Sequence, residues 1–204
     1  MSTTDKWQDY HQKSLSQPHR PLTERAVAAQ QSPLKLAIDC GCGTGNDLLY
    51  LLTQGYEVHG FDNNSRAIEL SMQRLATEQS GKARLDTQAK LTVSSFESYD
   101  YPKAGLIIAH ASLFFAQPTE FAAIWRNIVN SLVSGGVFAG DFLGVKDSWA
   151  EHEDPITTSL DQAEIMAMFE EFDLLEVKET DRPGAMANGQ SKHWHYYSVL
   201  ARKK

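Results

Sequence analysis

From Leu34 onward, short apolar runs alternate with stretches whose apolar residues recur at helical spacing. Residues 34–40 are mostly apolar on successive positions, as expected of a strand covered on both faces. A glycine-rich turn follows, and Leu48, Leu49, Leu51 and Leu52 then predict a helix over residues 46–53, with Gly55 as its stop. A second strand is predicted at 56–61. It runs into Asp62-Asn63-Asn64, where an asparagine can cap the next helix. In that helix Ile68, Met72 and Leu75 repeat at i, i+4 and i+7 and predict one buried face, with Ser80-Gly81 closing it. Third and fourth strands are predicted at 90–94 and 105–109. Phe121, Ile124, Trp125, Ile128, Val129 and Leu132 form the clearest helical stripe. Gly135-Gly136 are expected to stop that helix, and 137–142 to form a fifth strand.

The last third changes rhythm. Ser159-x-x-Gln162 predicts a capping box that opens a helix with Ile165, Met168, Phe169 and Phe172 inward. Strands are predicted at 174–180 and 193–201. The loop between them, 181–192, is too short for a helical crossover, so the pair is expected to be antiparallel. Residues 5–14 and 22–30 are expected to be helical, with Pro18 and Pro21 between them. The fold class is therefore α/β: helices packed on a mostly parallel sheet. One domain is expected over 1–204, with 1–32 as an N-terminal helical cap and 33–204 as the sheet core.

Composition narrows the function. At 204 residues the chain suits one core, and 42% apolar with 22% charged residues excludes disordered and collagen-like classes. Nineteen basic against 26 acidic side chains leave −7, a field that opposes phosphate backbones, so no nucleic-acid partner is expected. No apolar run approaches the roughly 20 residues that span a bilayer, and the polar start lacks a signal-peptide core. A cytoplasmic protein without a membrane partner is expected. Cys40 and Cys42, one residue apart, cannot staple a fold; they are expected to be reduced packing residues rather than a metal site.

The chemistry concentrates in Asp39-Cys40-Gly41-Cys42-Gly43-Thr44-Gly45, between a buried strand and a helix start. Glycines there let the chain turn sharply and let a ligand approach the backbone. Asp62, 17 residues past Gly45 at the next strand end, is placed to accept hydrogen bonds from both hydroxyls of a ribose. A dinucleotide fingerprint would want glycine or alanine where Asn46 stands, and Asp39 would repel a pyrophosphate. A cation beside Asp39 fits better, and S-adenosylmethionine carries an ammonium group. A nicotinamide-dependent oxidoreductase and a non-catalytic S-adenosylmethionine-binding module stand as alternatives.

LAIDCGCGTGNDLLYLL resembles the first motif of the class I S-adenosylmethionine-dependent methyltransferases. GFDNN is similar to their acidic second motif, VSSFESY to the third-strand loop that lines adenine, and LIIAHASLFF to the fourth-strand segment. The N-terminal WQDYHQK resembles the W-x-x-x-Y start of tellurite-resistance and thiopurine-type small-molecule methyltransferases. The resemblance spans about residues 34–142 and implies a seven-stranded sheet with the last strand antiparallel. It implies that Asp39, Gly41, Cys42, Gly43, Thr44 and Gly45 surround the methionine portion of the cofactor. Asp62 would take the ribose, Asn63 would lie beside the adenine, and Ser95 and Phe96 would meet the adenine edge. Ser95 stands where the family usually has an acid. His110 follows the fourth strand, where the family often offers a backbone carbonyl to the cofactor ammonium.

Methyl transfer is an in-line displacement at the sulfonium carbon, so such a protein mainly supplies alignment and exclusion of water. A sulfur, selenium or tellurium acceptor needs little help, whereas an oxygen or amine acceptor wants a base, for which His110 and His193 are the candidates. No Asn/Asp-Pro-Pro-aromatic tetrad occurs, which disfavours the N-methyltransferases that use one. A small-molecule acceptor is expected. Its cap is expected from 142–158, from Lys192-His193-Trp194-His195 and from an N-terminal helix carrying Trp7 and Tyr10. His59 is expected to be structural, and His11, His19 and His152 to face solvent.

Overall fold

Strands β1 (Leu36–Cys40), β2 (Glu57–Asp62), β3 (Ala89–Val93), β4 (Ala104–Ala109) and β5 (Leu132–Gly144) run parallel, joined by crossovers that place helices on both sheet faces. The computed structural model describes residues 11–78, 88–150, 156–186, 189 and 191–204. The remaining strands are β6 (Ser159–Leu160), β7 (Phe172–Ala185) and β8 (Ser191–Lys203). The helices are α1 (Pro21–Ala29), α2 (Asn46–Thr53), α3 (Ser65–Glu78), α4 (Phe121–Ser131) and α5 (Gln162–Met168). The sheet order is β3-β2-β1-β4-β5-β8-β7, with β8 antiparallel to both neighbours. The expected seven-stranded sheet gains an eighth member: two-residue β6 pairs parallel with the end of β5.

Alternation along the strands sends side chains to two cores. Leu106 and Ile108 of β4 pack with Leu22 and Ala26 of α1, Leu48, Leu51 and Leu52 of α2, and Leu75 of α3. Ile107 and Ala109 pack on the other face with Ile124, Trp125 and Ile128 of α4 and Ile165 of α5. Every residue of β4 is buried, as its continuous apolar sequence requires. Trp125 stands edge-on to Phe138, Phe142 and Phe169, and its indole N–H donates to the Met168 carbonyl at 3.1 Å.

Several local expectations are corrected. In α3, Met72 faces solvent and Ser71 turns inward, because the Ser71 hydroxyl donates to the Gly43 carbonyl at 2.9 Å. Gly135 and Gly136 do not stop α4; they lie within β5, where the Gly135 carbonyl accepts from the Gln31 and Ser32 N–H groups. The capping box of α5 is Asp161 with Glu164, since Ser159 is already committed to β6. β7 and β8 also continue through most of the expected loop: Asp181 pairs with His195 and Pro183 with His193, beyond the end of β5. Residues 11–14 are helical as expected. The rest of that helix, with Trp7 and Tyr10, and also Ser80, Gly81 and His152, lie outside the described residues.

Parallel strands bring Asp39, Asp62, His110 and Gly144 to one end of the sheet. The antiparallel β8 begins at that same end. In open α/β sheets this is where ligands bind.

Candidate functional site at the carboxyl end of the sheet

The turn after β1 is held in left-handed backbone at Gly41, Gly43 and Gly45, with φ of +70°, +54° and +79°. The Gly41 and Cys42 N–H groups both donate to the Phe61 carbonyl, at 2.8 and 3.0 Å, tying the turn to the end of β2. A Cβ on Gly41 would fall 2.5 Å from Ser112 Cβ, and one on Gly45 2.9 Å from Ser71 Oγ, so packing demands both glycines. A Cβ on Gly43 would meet nothing within 4 Å. Gly43 is therefore the open face of the turn.

Asp62 points back at that face. Its Oδ2 accepts from the Gly43 N–H at 3.0 Å and its Oδ1 from the Asn64 N–H at 2.9 Å. Burial pushes its carboxyl pKa up, against the pull of these two donors and of His11. Asp39 is buried and its Oδ2 has no hydrogen-bond partner. Burial, with Asp47 and Asp62 adding like charge, drives its pKa well above the usual carboxylate range, opposed by a bond from the Leu48 N–H. A buried, unmatched carboxylate oxygen among other acids is a place for a cation.

Phe96 packs edge-on against Phe61, and its ring lies beside the turn, 3.8 Å from where a Gly41 Cβ would be. Ser95 is half-buried and donates to Ser98 at 3.3 Å, while Asn63 is exposed. Thr44 is buried against Ser14, with their hydroxyls 3.0 Å apart. Burial and the nearby acids raise both thiols, Cys40 and Cys42, which keeps them protonated packing groups.

His110 sits in a buried network that sequence reasoning missed. The Thr23 hydroxyl donates to Asp47 Oδ1, so at 3.0 Å it accepts from His110 Nε2–H. His110 Nδ1 lies 3.6 Å from Asp141 Oδ2, which takes the Ala111 N–H at 2.9 Å. Ala111 adopts φ +49°, unusual for a residue with a Cβ. Burial raises the Asp141 pKa, but His110 and the Ser198 hydroxyl outweigh it and hold it below the usual range. His193 is not brought to His110: it lies on β8, across β5, half-exposed, with Nε2 2.6 Å from Asp181 Oδ1. His11 is buried, contrary to expectation, because residues 11–14 lie against the glycine turn. No sequence pattern links Thr23, Asp47, His110 and Asp141, whose meeting is purely tertiary.

Among the described residues, Glu179, Asp181 and His195 bring ligand-type atoms within 4.8 Å of one another. The Lys146 N–H donates to His195 Nδ1 at 3.0 Å, which places the ring proton on Nε2, 2.9 Å from Glu179 Oε1. There the imidazole is a hydrogen-bond donor to the carboxylate, not a metal ligand.

Across β5, aromatic rings gather at the same end of the sheet. Trp149 contacts Phe114, Phe115 and Trp194, with centroids 6.4, 5.8 and 5.6 Å away. The Thr158 N–H donates to the Phe114 carbonyl and the Thr157 hydroxyl to the Trp149 carbonyl, both at 2.8 Å, joining the segments that follow β4 and β5.

Residues 37–136 match the model of a family described as "Methyltransferase domain". The carboxy-S-adenosyl-L-methionine synthase of Helicobacter hepaticus is 28% identical over 120 residues, covering 54% of this chain and 45% of that protein. The chain thus matches less than half the length of that relative. Among solved structures, TehB from Haemophilus influenzae superposes with a TM-score of 0.73 at 19% identity, over 97% of this chain and 67% of that one. The magnesium protoporphyrin IX methyltransferase ChlM of Synechocystis, with bound S-adenosylmethionine, gives 0.64 at 16% identity, over 96% and 80%. The N-methyltransferase NodS of Bradyrhizobium japonicum gives 0.64 at 14%, over 100% and 99%. At such identities the structural likeness speaks for the fold alone.

Proposed function

We propose, from the premise that the chain belongs to the class I S-adenosylmethionine-dependent methyltransferases, that it transfers the methyl of S-adenosylmethionine to a small-molecule acceptor. The observation that carries the reading is Asp39, whose buried Oδ2 is unpartnered beside a left-handed glycine turn with open space over Gly43. The residues present fit the cofactor. Asp39 offers a carboxylate for the ammonium, the backbone of Gly41, Cys42, Gly43, Thr44 and Gly45 a close approach, and Asp62 a carboxylate for the ribose hydroxyls. Asn63, Ser95 and Phe96 stand at the neighbouring strand ends, where the adenine would lie, and the His110 backbone follows β4. When bound, S-adenosylmethionine supplies an electrophilic methyl on a sulfonium.

The chain's own work is orientation and exclusion of water. Two backbone donors hold Asp62 in place, and Ser71 and Ser112 brace the turn from beneath. Thr23 holds Nε2 of the buried His110 and Asp181 holds Nε2 of the half-exposed His193, which leaves Nδ1 of each ring as the nitrogen that would take a proton. A soft sulfur, selenium or tellurium acceptor needs no base, and an oxygen or amine acceptor would call on one of these nitrogens. The net charge of −7 disfavours a nucleic acid as acceptor, and no helix among the described residues is long and apolar enough to cross a membrane.

Calorimetric titration tests the cofactor site. S-adenosylmethionine should bind the wild type and NADH should not. Asp62→Ala should weaken binding by on the order of ten- to 150-fold, the worth of a charged hydrogen-bond acceptor. Release of S-adenosylhomocysteine with a panel of thiols, selenite and tellurite tests the reaction. Wild-type affinity in folded Asp62→Ala would remove the ribose assignment, and no release with any acceptor would remove the transfer reading.

A further inference from the structure

The segment after β5 is fastened to the start of β8 through one carboxylate. Asp147 is fully buried; its Oδ1 accepts the Lys192 ammonium and the Trp149 N–H, and its Oδ2 accepts the His195 N–H at 2.8 Å. Neighbouring bonds follow the same seam: Lys146 N–H to His195 Nδ1 at 3.0 Å, Ser148 N–H to the His193 carbonyl at 3.1 Å, and His193 N–H to Ser148 Oγ at 2.9 Å. The Lys192 ammonium lies between two indoles, 3.5 Å from the Trp149 ring centre and 4.1 Å from that of Trp194.

An ion pair buried this deeply is a poor device for stability alone, since apolar residues of similar volume often serve as well. What it supplies is direction. Asp147 takes donors from Trp149, Lys192 and His195, and so fixes both indoles relative to each other and to Phe114 and Phe115, in the segment following His110. Trp149, Trp194 and Phe115 are only partly covered. They lie at the end of the sheet where β4 and β5 finish and β8 begins.

Building on the reading that a small acceptor enters at this end, we propose that Asp147, through its pair with Lys192, is a positioning residue. It holds the Trp149–Trp194 wall in the form that selects a planar, aromatic acceptor over an aliphatic one. The pair joins the segment after β5 to β8, whereas the glycine turn follows β1 on the other side of β4, so cofactor affinity should not depend on it.

The test uses the full chain with 4-nitrobenzenethiol and 2-mercaptoethanol as acceptor probes. In Asp147→Asn, affinity for S-adenosylmethionine should stay within about twofold, while KM for the aromatic thiol rises about tenfold or more at a little-changed kcat, the mark of lost binding rather than lost chemistry. The loss for 2-mercaptoethanol should be smaller, and acrylamide should quench tryptophan fluorescence more strongly. The double variant Asp147→Asn with Lys192→Met leaves no buried unpaired charge and carries the same test if the single variant does not fold. Wild-type KM for the aromatic thiol, or equal losses for both thiols, would overturn the proposal. If the wild type methylates neither thiol, it is the acceptor reading that fails. The positioning role is then decided by quenching in a Trp194→Phe background, where an unchanged response of the Asp147→Asn variant rejects it.

Discussion

Asp39 and Asp141 are buried carboxylates at the same end of the same sheet, and their surroundings push them in opposite directions. Asp141 receives Ala111 N–H and Ser198 hydroxyl bonds and faces His110, which keeps its pKa low despite burial. A lowered folded pKa contributes stability above the unfolded value of about 4, and that contribution fades as pH falls through the folded value. Asp39 is the reverse. Burial, with acids around it, raises its pKa, so its contribution is intact below about 4 and is lost as pH rises through the raised value. Ionising Asp39 thus burdens the ligand-free protein and serves only the cation it waits for. Asp39→Asn should therefore melt higher than the wild type at pH 8, by roughly 2–4 °C per kcal/mol relieved in a chain of this size. The difference should close near pH 4, while affinity for S-adenosylmethionine drops about tenfold or more. Melting curves across pH, paired with calorimetry, check both halves. A variant that melts lower at pH 8 would contradict the first, and one that binds normally would contradict the second.

At the scale of elements, the glycine turn and the α5 cap differ in what they risk. Gly43→Val leaves the turn's packing untouched, since nothing lies within 4 Å of the new Cβ, but places a branched residue at φ +54° on the open face. It should abolish cofactor binding with a stability loss of about 1–3 kcal/mol, measured by calorimetry and urea unfolding. Full affinity would reduce the turn to a connection. The legibility of the elements followed from how locally each is determined. α2 (Asn46–Thr53) was readable to the residue because leucine spacing and flanking glycines act within the helix itself. The α5 cap lies two residues past the expected one because Ser159 and Asp161 both stand three before a Gln or Glu. Only the pairing of Ser159 with Leu143 decides between them. β7 and β8 run past their sequence signal because from residue 181 on they pair only with each other, and their polar side chains carry no core pattern. In the candidate site, Asp39, the glycines and Asp62 were legible because strand ends and turns mark themselves. Thr23, Asp47 and Asp141 around His110 were not, because each is an ordinary polar residue until the fold assembles them.

Seen across the whole molecule, the carboxyl end of the sheet divides into two territories. Over β1 and β2 lie the glycine turn, Asp39 and Asp62; over β5 and β8 lie the aromatic wall and its buried ion pair. The N-terminal segment was expected to cap the acceptor, but its described part, residues 11–14, sits on the first territory. Ser14 accepts from Asn46 Nδ2 at its carbonyl at 3.0 Å and shares a hydrogen bond with Thr44, while Arg74 grips Thr44 and Asn46 from α3. His11, three residues before Ser14, shares its helical face and lies near enough to Asp62 to lower that carboxyl's pKa. The segment thus clasps the turn from outside. Since burial lowers the His11 pKa against the pull of Asp62, it adds a positive neighbour to the proposed ribose acid only on the acid side of the usual histidine range. Ser14→Ala removes only the hydroxyl and should weaken S-adenosylmethionine binding by about two- to tenfold, the worth of one or two ordinary hydrogen bonds. Deleting residues 1–16 should weaken it further, with KM for an acceptor thiol changing less than cofactor affinity, the opposite order from Asp147→Asn. Calorimetry for the cofactor and initial rates for the thiol separate the two. If the deletion raised only the acceptor KM, the segment would belong to the second territory, and the clasp on Thr44 would be packing with no part in binding.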